Sequence, residues 1–132
     1  MHADEAVDAY WQHYLLSRST VRAEQLAAEH FSWAYEWVDA VASGKLERDA
    51  PKINPIHLMV TLAKRAPDEL ALAYLGAGPV ENYLARPDAD IEAVDRAGRR
   101  HPSFRMALRC ARFESSLSKR HAKRLRRFGP PL

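Results

Sequence analysis

The chain has 132 residues, of which 47% are hydrophobic, and a formal net charge of +3 at pH 7, so its size suits one domain with a buried core. Its single cysteine, Cys110, excludes an intramolecular disulfide and favours a reducing cytoplasm. The first residues lack the basic and apolar regions of a secretory signal. No uncharged stretch, residues 70–80 included, approaches the roughly 20 apolar residues of a membrane span. We therefore expect a cytoplasmic protein with no membrane span.

Charge is unevenly distributed along the sequence. Residues 1–95 carry a net charge of −8, whereas residues 96–132 carry +11 and contain a single acidic residue, Glu114. A basic C-terminal part of this kind either packs against the acidic body or meets an external polyanion. The sequence leaves both interpretations open.

The first two predicted helices are rich in aromatic residues. Asp4 is expected to cap the first helix, which ends near Ser17. Its buried stripe consists of Val7, Tyr10, Trp11, Tyr14 and Leu15. A second, longer helix is predicted from Ser19 or Thr20 to Gly44, where the backbone can adopt the left-handed conformation that ends helices. The inward face of this helix is expected to carry Ala23, Leu26, Ala27, His30, Ala34, Trp37, Val38 and Val41.

Three helices are predicted in the middle of the chain. Residues 45–53 form a charged loop, and residues 54–55 (Asn-Pro) are a strong start signal for a third helix, because Asn accepts from free amides and proline has no amide to leave unpaired. A fourth helix is expected over residues 67–75. Residues 76–79 (Gly-Ala-Gly-Pro) predict a turn, and a short fifth helix follows and ends before Pro87.

Two further helices and a basic segment complete the prediction. Asp88 is expected to cap a sixth helix that ends at Gly98, and residues 102–103 (Pro-Ser) open a seventh. The apolar stripe of the seventh helix consists of Phe104, Ala107, Leu108 and Ala111. Its arginines are expected to face outward, and they are Arg105, Arg109 and Arg112. A basic segment then extends from Glu114 to Arg127.

No strand pattern competes with these helices, because the alternation of β-branched residues that a sheet requires is missing from the sequence. We therefore predict an all-α fold, an irregular bundle or stacked helical hairpins of about seven to eight short helices. The predicted domain organisation is a single helical domain of residues 1–132, with residues 114–132 as a basic C-terminal helical extension.

Two segments of the sequence resemble a family of small bacterial all-helical proteins of unknown function. Residues 72–84, LAYLGAGPVENYL, contain an LxAGP-hydrophobic-E turn, and residues 91–108, IEAVDRAGRRHPSFRMAL, contain a Pro-x-Phe-Arg helix start. The similarity covers roughly residues 54–112. His101 stands where the family pattern has an acidic or Asn cap, and the basic extension lies outside that pattern. The resemblance implies a helical fold and a bacterial cytoplasmic setting, and it assigns no functional residue.

No motif identifies a catalytic, cofactor-binding or metal-binding residue. Residues 76–79 lack the preceding strand and the lysine of a phosphate-binding loop, and Glu81 in the next turn would repel an anion. The six histidines never occur four residues apart, and Cys110 has no second thiol to complete a zinc pair. We therefore predict no cofactor and no metal, and the lack of a catalytic signature favours a non-enzymatic protein without excluding an enzyme. An enzyme of unrecognised type is the third hypothesis.

The leading hypothesis for function concerns the second predicted helix. Trp33 and Tyr35 lie off its core stripe, beside the acidic residues Glu36 and Asp39. Exposed Trp and Tyr next to acidic groups are typical of protein-binding hot spots, and core packing is the alternative for both. The sequence therefore favours a non-enzymatic bacterial protein–protein interaction module, such as an adaptor or an immunity-type protein. Its partner protein would bind these four residues or the acidic N-terminal half.

The basic residues near the C-terminus support an alternative function, non-specific nucleic acid binding. These residues are Arg105, Arg109, Arg112, Lys119, Arg120, Lys123, Arg124, Arg126 and Arg127. Lys and Arg bind phosphates along a nucleic acid backbone with an affinity that falls with salt. The segment has no aromatic platform and no recognition-helix motif, so sequence-specific readout is not expected. Internal pairing of the same residues with the acidic body is the competing interpretation.

Overall fold

The computed structural model describes residues 2–132, and all regular secondary structure in this range is helical. The helices are α1 (Ala3–Ser17), α2 (Arg22–Ala27), α3 (Ser32–Ser43), α4 (Pro55–Lys64), α5 (Glu69–Leu75), α6 (Glu81–Leu84), α7 (Ile91–Arg100), α8 (Pro102–Cys110) and α9 (Lys119–Arg126). A 3-10 turn (Ala28–Phe31) joins α2 to α3 directly, and a π-helical turn (Gly76–Val80) joins α5 to α6, so neither pair is separated by a loop. The prediction of an all-α bundle of about seven helical units is confirmed.

Two central helices organise the core. α8 contacts α4, α5, the π-helical turn and α7, and its buried side chains are Phe104, Ala107 and Leu108. α4 contacts α1, α5, α7 and α8, and five of its ten residues are buried. On the N-terminal side, α1 packs against α3 and the 3-10 turn. The tyrosines of α1 therefore lie where α1, α3 and α5 meet.

Several predicted helix boundaries are confirmed. The Asn54 side chain accepts from the amides of Ile56 at 2.9 Å and His57 at 3.2 Å, with Pro55 in the first position of α4. Gly44 ends α3 with a φ of 74°, the left-handed conformation that glycine adopts without strain.

Other predicted boundaries are wrong. α1 begins one residue before Asp4, which therefore does not cap it. Asp90 caps α7 by accepting from the Ala93 amide at 3.0 Å, because Asp88 instead pairs with Arg86. Gly98 does not end α7, which continues to Arg100. A Cβ atom on Gly98 would lie 2.7 Å from the ring of Phe128, so a larger residue here would require that ring to move.

The single long helix predicted between Ser19 and Gly44 is wrong in its first half. The 3-10 turn interrupts it. Because a 3-10 helix has three residues per turn, the apolar residues before the turn no longer line up with the buried face of α3. α2 contains no buried residue. Ala23, Leu26 and His30, which were expected to face inward, are exposed.

The turn predicted at residues 76–79 is wrong as well, because the chain stays helical there. Gly76 is buried, and a Cβ atom on it would lie 2.1 Å from the carbonyl oxygen of Ala107, so glycine allows this segment to approach α8 closely. Pro79 has no amide to donate, and the wider π-helical turn accommodates its ring. The helix from Glu69 to Leu84 therefore continues with a local bulge.

The basic C-terminal segment ends in a helix that packs on the body. Ser118 caps α9 by accepting from the amide of His121 at 3.2 Å, and Ala122 and Leu125 of α9 are buried. α9 contacts α7, and Phe128 just after it lies against Gly98. Within residues 2–132, no helix has both the length and the apolar character needed to cross a membrane.

Candidate functional site

A cavity of about 240 Å³, which we call the tyrosine pocket, opens where α1, α3, α5 and the π-helical turn meet. Its position follows from the fold, because Tyr10 belongs to the buried stripe of α1 while the bulge after α5 brings residues 77–79 to the same place. The residues that line it are Tyr10, Tyr35, Asp39, Tyr74, Ala77, Gly78, Pro79 and Asn82. A π-helical bulge beside a cavity is a common feature of functional sites.

Aromatic rings form one side of the tyrosine pocket. The rings of Tyr10 and Tyr35 are stacked, with centroids 6.2 Å apart and an angle of 8° between their planes. Tyr74 is tilted against Tyr10 at 6.4 Å and against Tyr14 at 5.1 Å. Tyr10 is almost fully buried, whereas Tyr35 and Tyr74 are 41% and 37% exposed. The pocket therefore has one buried ring and two rings that solvent reaches.

The hydroxyl group of Tyr10 is buried and has no hydrogen-bond partner within residues 2–132. Burial raises the pKa of Tyr10 far above its usual value, and nearby Tyr74, Tyr35 and Asp39 raise it further. Burial and the neighbouring hydroxyl group of Tyr35 raise the pKa of Tyr74 to about 12. Both groups therefore remain neutral at physiological pH. A buried polar group without a partner costs roughly 1–3 kcal/mol of stability, so the Tyr10 hydroxyl needs a physical explanation.

Asp39 supplies the charge of the tyrosine pocket. It is the single ionisable side chain other than tyrosine among the lining residues that the structure describes. The side-chain amide of Asn82 donates to Oδ1 of Asp39 at 2.9 Å. This bond leaves the second oxygen of Asp39 and the carbonyl oxygen of Asn82 as acceptors. The pocket is therefore aromatic and negatively charged.

A larger open groove, about 1020 Å³ in volume, lies on the other side of the π-helical turn. We call it the thiol groove, because the half-buried Cys110 lines it. Burial raises the pKa of the Cys110 thiol, which keeps the group protonated and weakly nucleophilic. Glu81 of this groove accepts from the backbone amide of Arg112 at 2.6 Å. Ala77 lines both cavities, so the two lie side by side.

The structure divides the four residues predicted to bind a protein. Tyr35 and Asp39 line the tyrosine pocket, one helical turn apart on α3. Trp33 is 39% exposed and Glu36 is exposed, and both lie outside the pocket on the same helix. Core packing, the alternative for Trp33 and Tyr35, is therefore incomplete for both. The aromatic and acidic character expected of this surface is present.

The residues predicted to bind a polyanion also divide into two groups. Arg124 donates to the buried carboxylate of Asp95 at 2.8 Å, and Arg99 donates to the same oxygen at 2.7 Å. Arg126 lies 4.2 Å above the ring of Phe113, and it donates to the carbonyl of Ala111 at 2.6 Å and to Glu114. These arginines hold the C-terminal segment on the body.

Two further candidates are also occupied. Arg105, which was expected to face outward, donates to the carbonyls of Gly98 at 2.9 Å and Arg99 at 3.0 Å, and Arg109 donates to the carbonyl of Pro130 at 3.3 Å. Arg127 is 66% exposed and lies 3.9 Å from Asp95. The remaining candidates are exposed and form no ion pair in the described part of the chain, and they are Arg112, Lys119, Arg120 and Lys123.

Three residues of the tyrosine pocket were missed by sequence analysis, namely Tyr10, Tyr74 and Asn82. Tyr10 was assigned to the core, which is correct for its ring but leaves its hydroxyl without a partner. Tyr74 and Asn82 were assigned to helices on either side of a turn. The one available signal was the Gly-Ala-Gly-Pro sequence inside an otherwise helical pattern, which also occurs at helical bulges.

Comparison with known proteins adds no identification, because no family model, no curated protein and no solved structure matches this chain. The resemblance to a bacterial helical family therefore rests on residues 72–84 and 91–108 alone. Among residues 2–132, no group of three or more His, Cys, Asp or Glu side chains is arranged to hold a metal ion.

Proposed function

We propose that the protein is a non-enzymatic, cytoplasmic bacterial interaction module, such as an adaptor or an immunity-type protein, which binds a partner protein through the surface formed by α3 and α5. The observation that carries the proposal is the pair of exposed tyrosines, Tyr35 and Tyr74, beside the carboxylate of Asp39. Tyrosine supplies a large contact area with little loss of conformational entropy, which suits protein interfaces.

Neighbouring side chains extend this surface. Leu70 lies one helical turn before Tyr74 on α5 and is 52% exposed. Trp33, which is 39% exposed, adds an exposed aromatic ring to another side of α3, because residues two apart on a helix do not share a face. Asp68 and Glu69 add negative charge at the start of α5. An apolar centre with an acidic rim is typical of a protein interface. Its charge favours a partner with a basic surface, since complementary charge accelerates association and selects the partner.

The proposal is tested by capture from the protein's own host with matched variants. The wild-type chain is expected to retain a basic protein that a Tyr35→Ala, Trp33→Ala double variant loses. A Lys119→Ala, Lys123→Ala variant is the control, because these residues are exposed and lie on α9. The proposal is wrong if no protein is retained, or if the α9 control loses the partner while the α3 variant keeps it.

A second function, non-specific nucleic acid binding, is favoured by one specific observation. Arg112, Lys119, Arg120 and Lys123 are exposed, and the described part of the chain offers them no ion pair. Exposed Lys and Arg bind phosphates with salt-dependent affinity. Internal hydrogen bonds weaken this candidate, because they occupy four of the nine expected cations, namely Arg105, Arg109, Arg124 and Arg126.

Fluorescence anisotropy of labelled oligonucleotides over a salt series tests this second function. The suitable variant replaces Lys119, Arg120 and Lys123 with Gln, because truncation before α9 would also remove Arg124 from the buried Asp95. Binding that weakens with salt and falls in the triple variant supports nucleic acid binding. Equal signals from the wild type and the triple variant, or no binding at low salt, exclude it.

A further inference from the structure

The tyrosine pocket contains several hydrogen-bond acceptors. One N–H of the Asn82 amide is used on Asp39, which leaves one Asp39 oxygen and the Asn82 carbonyl oxygen as acceptors and the second Asn82 N–H as a donor. Tyr10, Tyr35 and Tyr74 line the same cavity, and their neutral hydroxyl groups can both accept and donate. A ligand that brings several donors can therefore be satisfied there.

The charge of the pocket indicates the sign of that ligand. Asp39 is negative, and no Lys, Arg or His belongs to the lining in the range 2–132. The faces of tyrosine rings are electron-rich and attract cations, most strongly where water is excluded. Both features favour a cation and disfavour an anion.

The geometry limits the size of the ligand. The cavity measures about 240 Å³, below the range of roughly 300–1,000 Å³ that holds drug-sized ligands. A Cβ atom on Gly78 would meet no other atom within 4 Å, so the glycine leaves this wall of the cavity open. A compact group with a narrow chain therefore fits better than a wide planar one.

We propose that the tyrosine pocket binds a primary alkylammonium group, with the ammonium on Asp39 and the tyrosine oxygens and the alkyl chain along the tyrosine rings and Pro79. Three N–H donors match the acceptors, and one positive charge matches the carboxylate. The buried Tyr10 hydroxyl, which has no partner within residues 2–132, is the innermost acceptor of this site.

Two sources can supply an alkylammonium group, a free amine and a lysine side chain of a protein. The second source deepens the proposed function and rests on it, because the lysine would belong to the partner. Both share the same chemistry, and the experiment separates them by the probe used.

The test is a nuclear magnetic resonance titration of the full ¹⁵N-labelled chain with n-butylammonium chloride. Gly78 and Asn82 line the pocket, so their backbone amides report on it. Pro79, which also lines it, has no amide proton to observe. We expect shifts at these amides that saturate with butylammonium, and no such shifts with n-butanol, which has the same shape without charge, or with sodium chloride at equal ionic strength. Absence of saturation, or equal shifts with n-butanol, would overturn the proposal.

Matched variants locate the binding group. Asp39→Asn is expected to weaken butylammonium binding by about tenfold or more. Glu36→Gln removes the same charge from the same helix outside the pocket and is expected to leave binding unchanged. Gly78→Val, which narrows the cavity while keeping every charge, is expected to abolish binding. Equal losses in the Asp39 and Glu36 variants would show a general charge effect and refute the site.

A blocked lysine, Nα-acetyl-lysine N-methylamide, identifies the source. Asp39-dependent binding of the blocked lysine supports a protein side chain, whereas binding of butylammonium alone supports a free amine. Failure of both probes refutes the ammonium site and leaves the proposed partner binding intact, as long as Tyr35→Ala, Trp33→Ala loses the captured protein. Amine binding without any captured protein supports the ammonium site and refutes the proposed partner binding.

Discussion

Two regions of the molecule differ in whether their buried polar groups have hydrogen-bond partners. They are the tyrosine pocket and the Asp95 cluster, which consists of Asp95, Arg99, Arg124 and Arg127. Asp95 is 1% exposed and accepts from two arginines at 2.7 and 2.8 Å. Tyr10 is equally buried, and its hydroxyl has no partner within residues 2–132. The first arrangement attaches α9 to α7. The second leaves a hydroxyl group unpaired within residues 2–132, at the site of the proposed ligand. The comparison therefore separates polar groups that stabilise the fold from a polar group that is left for binding.

The largest expected effect comes from removing the carboxylate of the Asp95 cluster. Asp95→Ala is expected to cost about 3 kcal/mol of unfolding free energy, because the loss of one partner of a buried ion pair leaves the others uncompensated. Glu92→Ala is the control, since Glu92 is 72% exposed and lies 3.9 Å from Arg124, and it is expected to cost less than about 1 kcal/mol. Urea denaturation measures both. Similar losses in the two variants would remove the structural role assigned to Asp95.

The next effect concerns two glycines of the π-helical turn. Gly76→Ala is expected to cost about 2–3 kcal/mol, because its Cβ atom would lie 2.1 Å from a backbone oxygen of α8. Gly78→Ala is expected to change the free energy of unfolding by less than about 1 kcal/mol, because its Cβ atom meets no non-neighbouring atom within 4 Å, while the following Pro79 offsets the helical preference of alanine. Thermal denaturation compares them. A stable Gly76→Ala variant would contradict the close packing described for this segment.

A smaller pair of opposite effects tests the unpartnered hydroxyl directly. Tyr10→Phe is expected to raise the free energy of unfolding by about 1 kcal/mol, because it removes a buried group without a partner. Tyr83→Phe is expected to lower it by about 1 kcal/mol, because the Tyr83 hydroxyl accepts from the Asp90 amide at 2.8 Å. If Tyr10→Phe destabilises the chain as much as Tyr83→Phe does, the Tyr10 hydroxyl has a structural partner and the contrast fails.

The smallest effect is a loss of stability at alkaline pH. The folded-state pKa of Tyr74 is raised from 10.0 to about 12. A raised pKa means that the folded state holds its proton longer than the unfolded state, so the associated stability is complete below pH 10 and is lost as pH rises towards 12. Unfolding measured across this range is expected to show a shallower decline in Tyr74→Phe than in the wild type. The same slope in both chains would assign the decline to other groups.

Sequence analysis predicted helices best where the signals were local. The Asn54–Pro55 start and the Gly44 end depend on backbone conformations that one or two residues determine. The broken second helix could not be predicted, because apolar residues with helical spacing, such as Leu26, do not reveal that no neighbour covers them. The close packing of Gly76 is against Ala107, thirty-one residues away in the sequence, and no local pattern indicates that contact.

The candidate site was predicted only in part. Tyr35 and Asp39 were identified because they lie off the core stripe of one helix, which is a property of the sequence. Tyr10 and Tyr74 join them through packing of α1 and α5, which the sequence pattern does not show. In the same way, the sequence identifies the basic residues near the C-terminus, but it does not show which of them pair internally. The pairing of Arg124 with Asp95 follows from the contact between α7 and α9.

The π-helical turn determines how this part of the chain responds to a change in length. Each residue of an α-helix advances the side chains by about 100° around the axis, and a π-bulge holds one extra residue. Deleting one residue from 76–80 would therefore restore a regular helix and leave α6 facing nearly the same way relative to α5. Deleting one residue within α5 would instead rotate the following residues by about 100°, so that Tyr83 and Leu84, now buried, would turn away from the core and Asn82 would leave Asp39. The bulge is therefore where this helix tolerates the loss of a residue better than in α5.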